Sequence, residues 1–206
     1  TGNKTYGIFG NAEKYQDFLI NTPFDIILNY GSQIWSTDLS FPILNKIKAK
    51  KVLVPLCFPG IDNKLYADYY QKMPDYLKKY DKIIHLSANS KDKTFCDAHS
   101  LKNGMIIENG ADENEFLREM PNFRAKYGIK TRYFILSVSN HYYLKGHDFI
   151  LESFKKLKRK DVTMVIIGNR PATFHSFDLG GCYYSCIILS FFKRNFVALD
   201  KISRQD

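Results

Sequence analysis

Short apolar runs alternate along the chain with longer stretches whose apolar positions recur at helical spacing. The runs predict strands at 6–9, 24–29, 51–56, 82–87, 105–108, 133–138, 162–168 and 195–199. Between them, the period of 3.6 predicts helices near 12–20, 37–48, 64–80, 89–100, 114–127, 146–159 and 181–193. Several runs, such as "VTMVIIG", are continuous in Val and Ile rather than alternating. Parallel strands buried on both faces read this way. Strand, helix, strand repeated so often predicts a doubly wound α/β architecture.

One break interrupts this rhythm. In "IIENGADENEF", residues 106–116, Ile106 and Ile107 end a strand, Asn109-Gly110 turns, and Asp112, Glu113 and Glu115 lead towards a helix. An Asn-Gly turn alone suits any surface loop. Here, however, five strand runs precede it and three follow, enough for each half to build its own parallel sheet. The expectation is therefore two domains, 1–111 and 112–206, with the polar segment 118–132 leading into the second sheet.

Composition narrows the partners. With 206 residues and 45% hydrophobic content, the chain has enough apolar material for a core and little of the signature of disorder. A net charge of +9, from 30 Lys+Arg against 21 Asp+Glu, favours phosphates, nucleotides, acidic membrane surfaces or nucleic acid. Much of that charge sits in "KIKAKK" (46–51), "KKYDK" (78–82) and "KKLKRK" (155–160), at expected helix ends where it complements the helix dipole. Tyr76 and Tyr80 fall at helical spacing and read as packing, so no aromatic-plus-basic surface specific for nucleic acid is expected. Cys57, Cys96, Cys182 and Cys186 form no CxxC pair and read as free thiols of a reducing compartment. Cys182 and Cys186 would share a helix face, without a histidine pair at zinc spacing. No apolar stretch approaches the roughly 20 residues of a membrane span. The chain opens at Thr1, so the lack of a leader carries no weight.

The stretch richest in chemistry is "FILSVSNHYYLKGHDFILESFKKLKRK", residues 134–160. A buried strand ends at Val138, a polar-aromatic loop follows, and Lys145-Gly146 opens an amphipathic helix with Phe149, Ile150, Phe154 and Leu157 expected on its inner side. The carboxyl end of a parallel strand facing a helix start is where α/β folds bind anions, and a lysine there adds full charge. The plain alternative makes Lys145 a solvated helix-start residue. His141 and His147 flank this loop, within reach of a ligand or serving as packing; His85, His99 and His175 are scattered. No Walker A, GxGxxG, HExxH or GxSxG pattern occurs, and no metal-binding cluster is expected.

Together, "MIIENGADENEF", "YFILSVSNHYYLKGHDFILESFKKL" and "VTMVIIGNRP" resemble in order and spacing the middle of a family 4 glycosyltransferase. In that family an "IPNGVD…F" segment leaves the first domain, a loop with Arg and Lys and then "KG" opens the second, and a "VGDGP" turn follows the next strand. "FDIILNYGSQIWSTD" and "YADYYQKMPDYLKKYDKIIHLSANSKDKTF" are similar to the later half of its acceptor domain. The resemblance implies a fold of two Rossmann-like lobes with parallel sheets, of GT-B type, both partial. It implies a partial acceptor-side domain at 1–111, a partial donor-binding domain at 112–206, and the break at 108–116 as their joint. It implies a retaining glycosyltransferase of glycan or polysaccharide biosynthesis, taking a nucleotide-sugar donor and a sugar or lipid-linked acceptor. On it, Lys145, Asn140, Ser139 and Gly146 would meet the donor diphosphate, and Gly168 and Asn169 would form a donor-side turn. No cofactor or metal is implied. The place implied is the cytoplasm, with peripheral contact at an anionic inner membrane face as a further expectation and no specific nucleic acid.

The sequence departs from that pattern in places. Ser139-Asn140 stands where Gly-Arg is usual, trading a charge-assisted contact for a neutral one, about 1 kcal/mol against roughly 1.5–3. Cys57-Phe58 stands where a histidine is often found. The Gly-rich loop of the first strand and the paired glutamates (E-x7-E) are absent, so the catalytic residues stay unassigned and a longer parent is expected, this piece alone being inactive. The runner-up is a non-catalytic α/β protein binding a nucleotide or phosphate at the Lys145 loop. A basic module binding nucleic acid or membrane comes third.

Overall fold

The computed structural model describes residues 1–3, 7–117, 122–141, 145–169, 184–189, 195–200 and 202. The chain divides into two compact units, Thr1–Ala111 and Asp112–Asp206.

In the first unit, β1 (Gly2–Asn3) and β2 (Gly7–Ile8) form a short antiparallel pair. The run at 6–9 is thus no member of the parallel sheet. Glycine explains it: Gly2 and Gly7 have φ of 96° and 98°, and a Cβ on Gly2 would sit 2.1 Å from the Gly7 carbonyl oxygen. Asn11 then caps α1 (Ala12–Asn21), its side chain accepting from the Lys14 N–H at 2.8 Å. After β3 (Ile26–Tyr30) comes α2 (Trp35–Ser40), which tightens into a 3-10 turn at Phe41–Ile43. The helix expected over 37–48 stops early because Pro42 removes a donor. β4 (Lys50–Val54), α3 (Ala67–Leu77), β5 (Lys82–His85), α4 (Lys91–Ala98) and β6 (Gly104–Ile106) complete the unit. The four strands β3-β4-β5-β6 lie parallel in sequence order.

One face of this sheet packs Ile27, Leu53 and Ile83 against Phe41, Met73, Leu77 and Tyr80, all buried. Tyr76 stacks on Phe41 with ring centroids 4.7 Å apart, so both tyrosines of the basic stretch belong to packing. On β3 the alternate residues Ile26, Leu28 and Tyr30 are exposed, so this edge strand is half-buried and not covered on both faces.

The second unit opens with α5 (Glu113–Phe116) and α6 (Phe123–Lys126). A single helix over 114–127 was the expectation from periodicity. Instead Asp112 and Asn122 each start a separate short helix, accepting from Asn114 N–H at 3.0 Å and Ala125 N–H at 3.1 Å. Asn122→Ala should therefore lower the stability of this unit by about 1 kcal/mol, read from a urea transition. β7 (Tyr133–Val138), α7 (His147–Leu157), β8 (Val162–Ile167) and β9 (Phe196–Leu199) follow, and the strands form a parallel sheet in the order β7-β8-β9. Central β8 is buried along its whole length, as its continuous apolar run requires. Leu151, Met164, Ile166, Cys186 and Phe196 make a core on one face, and Ile129, Val165 and Ile167 on the other.

The phase of α7 differs from that expected. Phe149 is 75% exposed and Leu157 41%, whereas His147, Ile150, Leu151 and Phe154 turn inward. That set follows the spacing i, i+3, i+4, i+7. Of the helix expected at 181–193, residues 184–189 are helical; Cys182, like Arg170-Pro171 and His175, lies outside the described residues. Cys57 and Cys96 are free thiols. Among the described residues no helix is long and apolar enough to cross a membrane.

Candidate functional site

Register decides what the second sheet presents at its carboxyl edge. Val138 pairs with Ile167 and Ile167 with Leu199, so the three strands end level. Ser139, Gly168 and Asp200 are the next residues. The ladder continues for one more step, with Ser139 N–H donating to Ile167 O at 3.0 Å and Gly168 N–H to Leu199 O at 3.1 Å. Here Gly168 has no room for a side chain: a Cβ would lie 2.2 Å from the Ser139 carbonyl oxygen and 3.0 Å from His141 Cδ2. Asn169, directly after it, is exposed.

The start of α7 closes this edge. Gly146 is its N-cap in the left-handed region, φ 68° and ψ 26°, a conformation that favours glycine. It offers no side-chain cap, and its carbonyl accepts the first helical bond, from Ile150 N–H at 3.0 Å. Helix starts carry N–H groups without intrahelical acceptors and a partial positive charge. Lys145 precedes Gly146 and is exposed, as is Asn140. Beneath them Ser139 Oγ and His147 Nε2 share a hydrogen bond of 2.9 Å. The His147 and His141 rings pack with centroids 4.6 Å apart, exposed by only 1% and 5%. Burial, with the neighbouring His147, lowers His141 to about 4 against a partial pull from Asp200. Burial likewise lowers His147, with Asp148 opposing. Both rings are therefore neutral near pH 7.

Ser139, Gly168, His141 and His147 thus meet in one packed cluster, while Lys145, Asn140 and Asn169 stand exposed along the same edge. The sequence identified the positions but not the depth of the two histidines. For His147 the signal was the i, i+3, i+4 stripe of α7, on which it occupies an inward place.

The first unit holds two features that sequence reasoning missed. Leu56, Cys57 and Phe58 all have positive φ, 59°, 73° and 45°. This bend buries Phe58 completely, its ring 5.3 Å from Tyr70 and 5.4 Å from Phe95. The place where the resembled family often has a histidine is thus filled by a core anchor. His85, the last residue of β5, is buried with its Nδ1 2.5 Å from Asp92 Oδ2. Among the described residues its Nε2 has no hydrogen-bond partner, and it faces Gly104, where a Cβ would lie 2.9 Å away. Among the described residues no group of three or more His, Cys, Asp or Glu side chains is placed to hold a metal ion.

No protein-family model matches the chain, and no curated protein sequence does. Solved structures do. The chain is similar to sucrose-phosphate synthase from Thermosynechococcus elongatus, with a TM-score of 0.67 and 9% identity over 94% of this chain and 49% of that one. It is similar to Anabaena HepE in complex with UDP and glucose, with a TM-score of 0.68 and 15% identity over 96% of this chain and 55% of that one. The apo structure of OtsA matches with a TM-score of 0.64 and 12% identity, over 94% and 52%. The chain spans about half the length of these structures. At such identities the likeness establishes the fold: α/β, with two Rossmann-like parallel-sheet lobes of GT-B type.

Proposed function

We propose that this chain is part of a retaining glycosyltransferase, similar to family 4, that takes a nucleotide-sugar donor. Residues 112–206 form its donor side and residues 1–111 its acceptor side. The observation that carries this reading is the level carboxyl edge of β7-β8-β9, capped by a glycine-started helix with Lys145 at its mouth. Support also comes from similar structures whose titles name UDP, UDP-glucose and UDP-2-fluoro glucose as bound.

Sugar transfer develops negative charge on a leaving diphosphate, which preorganised donors and cations stabilise. The α7 N-terminus and the Lys145 ammonium supply that positive potential, and Asn140 a neutral donor. Gly146, with open space where a side chain would stand, lets backbone approach the phosphates, and the donor-side turn Gly168-Asn169 lies on the same edge. This chemistry needs no metal. The acceptor is a sugar or a lipid-linked sugar of glycan biosynthesis, which puts the reaction in the cytoplasm, with basic segments such as 46–51 suited to an anionic inner membrane face. Glutamates that would hold the sugar are not among these residues, so binding without turnover is expected.

Calorimetric titration of the purified chain with UDP-glucose and with uridine tests the proposal. UDP-glucose should bind saturably and at least about tenfold more tightly than uridine, because the diphosphate carries the affinity. Equal, weak binding of the two would overturn it.

A further inference from the structure

The basic run 155–160 is more than the end of a helix, because the fold lays a second basic segment beside it. Tyr133 N–H donates to Asp161 O at 3.0 Å, Tyr133 pairs with Val162, and the hydroxyls of Thr131 and Thr163 lie 2.7 Å apart. The residues that enter β7 and those that enter β8 therefore run side by side at the amino edge of the second sheet. Lys130 and Arg132 come from the first segment; Lys155, Lys156, Lys158, Arg159 and Lys160 come from the second, and all are exposed. Arg132 and Arg159 meet over one ring, with guanidinium carbons 5.0 and 5.4 Å from the centroid of Tyr133. The Arg124 guanidinium fixes the approach to β7, donating to Thr131 O at 2.6 Å and to Arg132 O at 3.0 Å. In these two segments the acids are Asp161, already held by Arg159 at 2.9 and 2.5 Å, and Glu152, one turn back along α7. Positive charge is left in excess. The carbonyl end of α7 accounts for Lys155 and Lys156 in its last turn, but not for Lys130 and Arg132, which lead into a strand.

We propose that this edge is a docking face for an anionic lipid bilayer, separate from segment 46–51, which belongs to the other unit. Each lysine or arginine held near an anionic membrane strengthens attachment about fivefold, and the factors multiply. A bilayer presents its phosphates as a fluid array without fixed spacing, which suits lysines on flexible stems. Tyr133, 43% exposed, has the apolar body and polar tip that suit the headgroup layer. A nucleic acid would need aromatic faces for its bases. Here the ring of Tyr133 already carries two guanidiniums, and the ring of Phe134 carries Arg124 at 4.8 Å. The chemistry of the face therefore favours lipid. β7 is 6 residues long, so this edge lies about 20 Å from Ser139 and Gly168 at the carboxyl edge. A bilayer bound here leaves that edge uncovered, and the proposal does not depend on what binds there.

Sedimentation of the chain with vesicles tests the face. At about 0.1 M salt, mixed phosphatidylcholine–phosphatidylglycerol vesicles should bind it at least about tenfold more tightly than phosphatidylcholine alone. Binding should vanish near 1 M salt, where the screening length falls to about 3 Å. The triple variant Lys130→Gln, Lys156→Gln, Lys160→Gln loses three exposed charges and leaves the core intact. It should bind the anionic vesicles about a hundredfold more weakly. Removing as many exposed lysines from the first unit, by Lys14→Gln, Lys64→Gln, Lys72→Gln, should cost less than about threefold. Equal losses in the two variants would reduce the effect to net charge and overturn the face. So would a native chain that ignores anionic vesicles at low salt. A single-stranded RNA oligonucleotide supplies the remaining arm. If it binds more tightly than the anionic vesicles, and the first triple variant alone loses it, the lipid assignment is overturned in favour of nucleic acid.

Discussion

Asp92→Ala is expected to destabilise the unit of residues 1–111 by about 1–3 kcal/mol, the cost of leaving a buried polar group without its partner. Asp92 is 1% exposed and His85 is fully buried. A carboxylate only accepts, so the 2.5 Å contact puts the imidazole proton on Nδ1. Burial opposes ionisation of Asp92, but hydrogen bonds from His85 and from Ser90 outweigh it and hold the carboxyl below its ordinary range. Without Asp92, His85 would have an unsatisfied Nδ1 as well as its already unpartnered Nε2. The ring could not retreat towards β6, because Gly104 lies against it with less than a methyl group of space. Urea unfolding followed by the fluorescence of Trp35, the one tryptophan and a member of this unit, reads the change directly. A loss under 1 kcal/mol would show that the pair contributes little. The double replacement His85→Leu, Asp92→Leu should recover much of the loss, since apolar side chains of similar volume leave no buried polar group behind. The sign of the pH dependence follows as well. A lowered carboxyl contributes stability that is present above the ordinary aspartate value and lost as pH falls through the folded one.

This pair also marks where sequence reading stopped. The strands of the second sheet were legible because β8 is covered on both faces, so its run from Val162 to Ile167 is apolar without a break. The end of β7 at Val138 was legible too, whereas Ser139 and Gly168 were singled out by the family resemblance. His85 and Asp92 lie seven residues apart, one ending a strand and one in the first turn of a helix. No periodicity links such positions; only the closing of strand against helix brings them together. The same holds for the close approach of Gly168 to Ser139, which depends on register between strands about thirty residues apart. Where local chemistry competed with periodicity, it won. Asn122 starts a new helix inside an expected longer one, and the glycines at 2 and 7 fold a β run back on itself. Phe149 misled for a different reason. It is apolar and sits on a helix, but the stripe of α7 runs through His147, whose burial composition alone does not announce.

Lys145→Ala should weaken donor diphosphate binding about ten- to hundredfold, with folding almost unchanged. The factor is that of one charge-assisted hydrogen bond, roughly 1.5–3 kcal/mol. Lys145 is exposed and immediately precedes the helix start at Gly146, so its removal uncovers no core and breaks no cap. Its contribution adds to the field of the α7 N-terminus, which survives the substitution and keeps some affinity in the variant. Reach distinguishes this from a general loss of positive charge. Lys158→Ala, at the other end of the same helix, removes an equal charge and should change UDP-glucose affinity less than about twofold at moderate salt, where the field of a distant exposed charge is screened. Asn140→Arg tests the same edge from the other side of the loop: a guanidinium there would bond the diphosphate bidentately and tighten binding where the backbone lets it reach. Titrations of the native chain and the three variants with UDP-glucose, at one pH above 7 so that both histidines stay neutral, separate these cases. Equal affinities for the native chain and Lys145→Ala would make Lys145 a solvated helix-start residue and move the phosphate contacts to the backbone N–H groups at the start of α7.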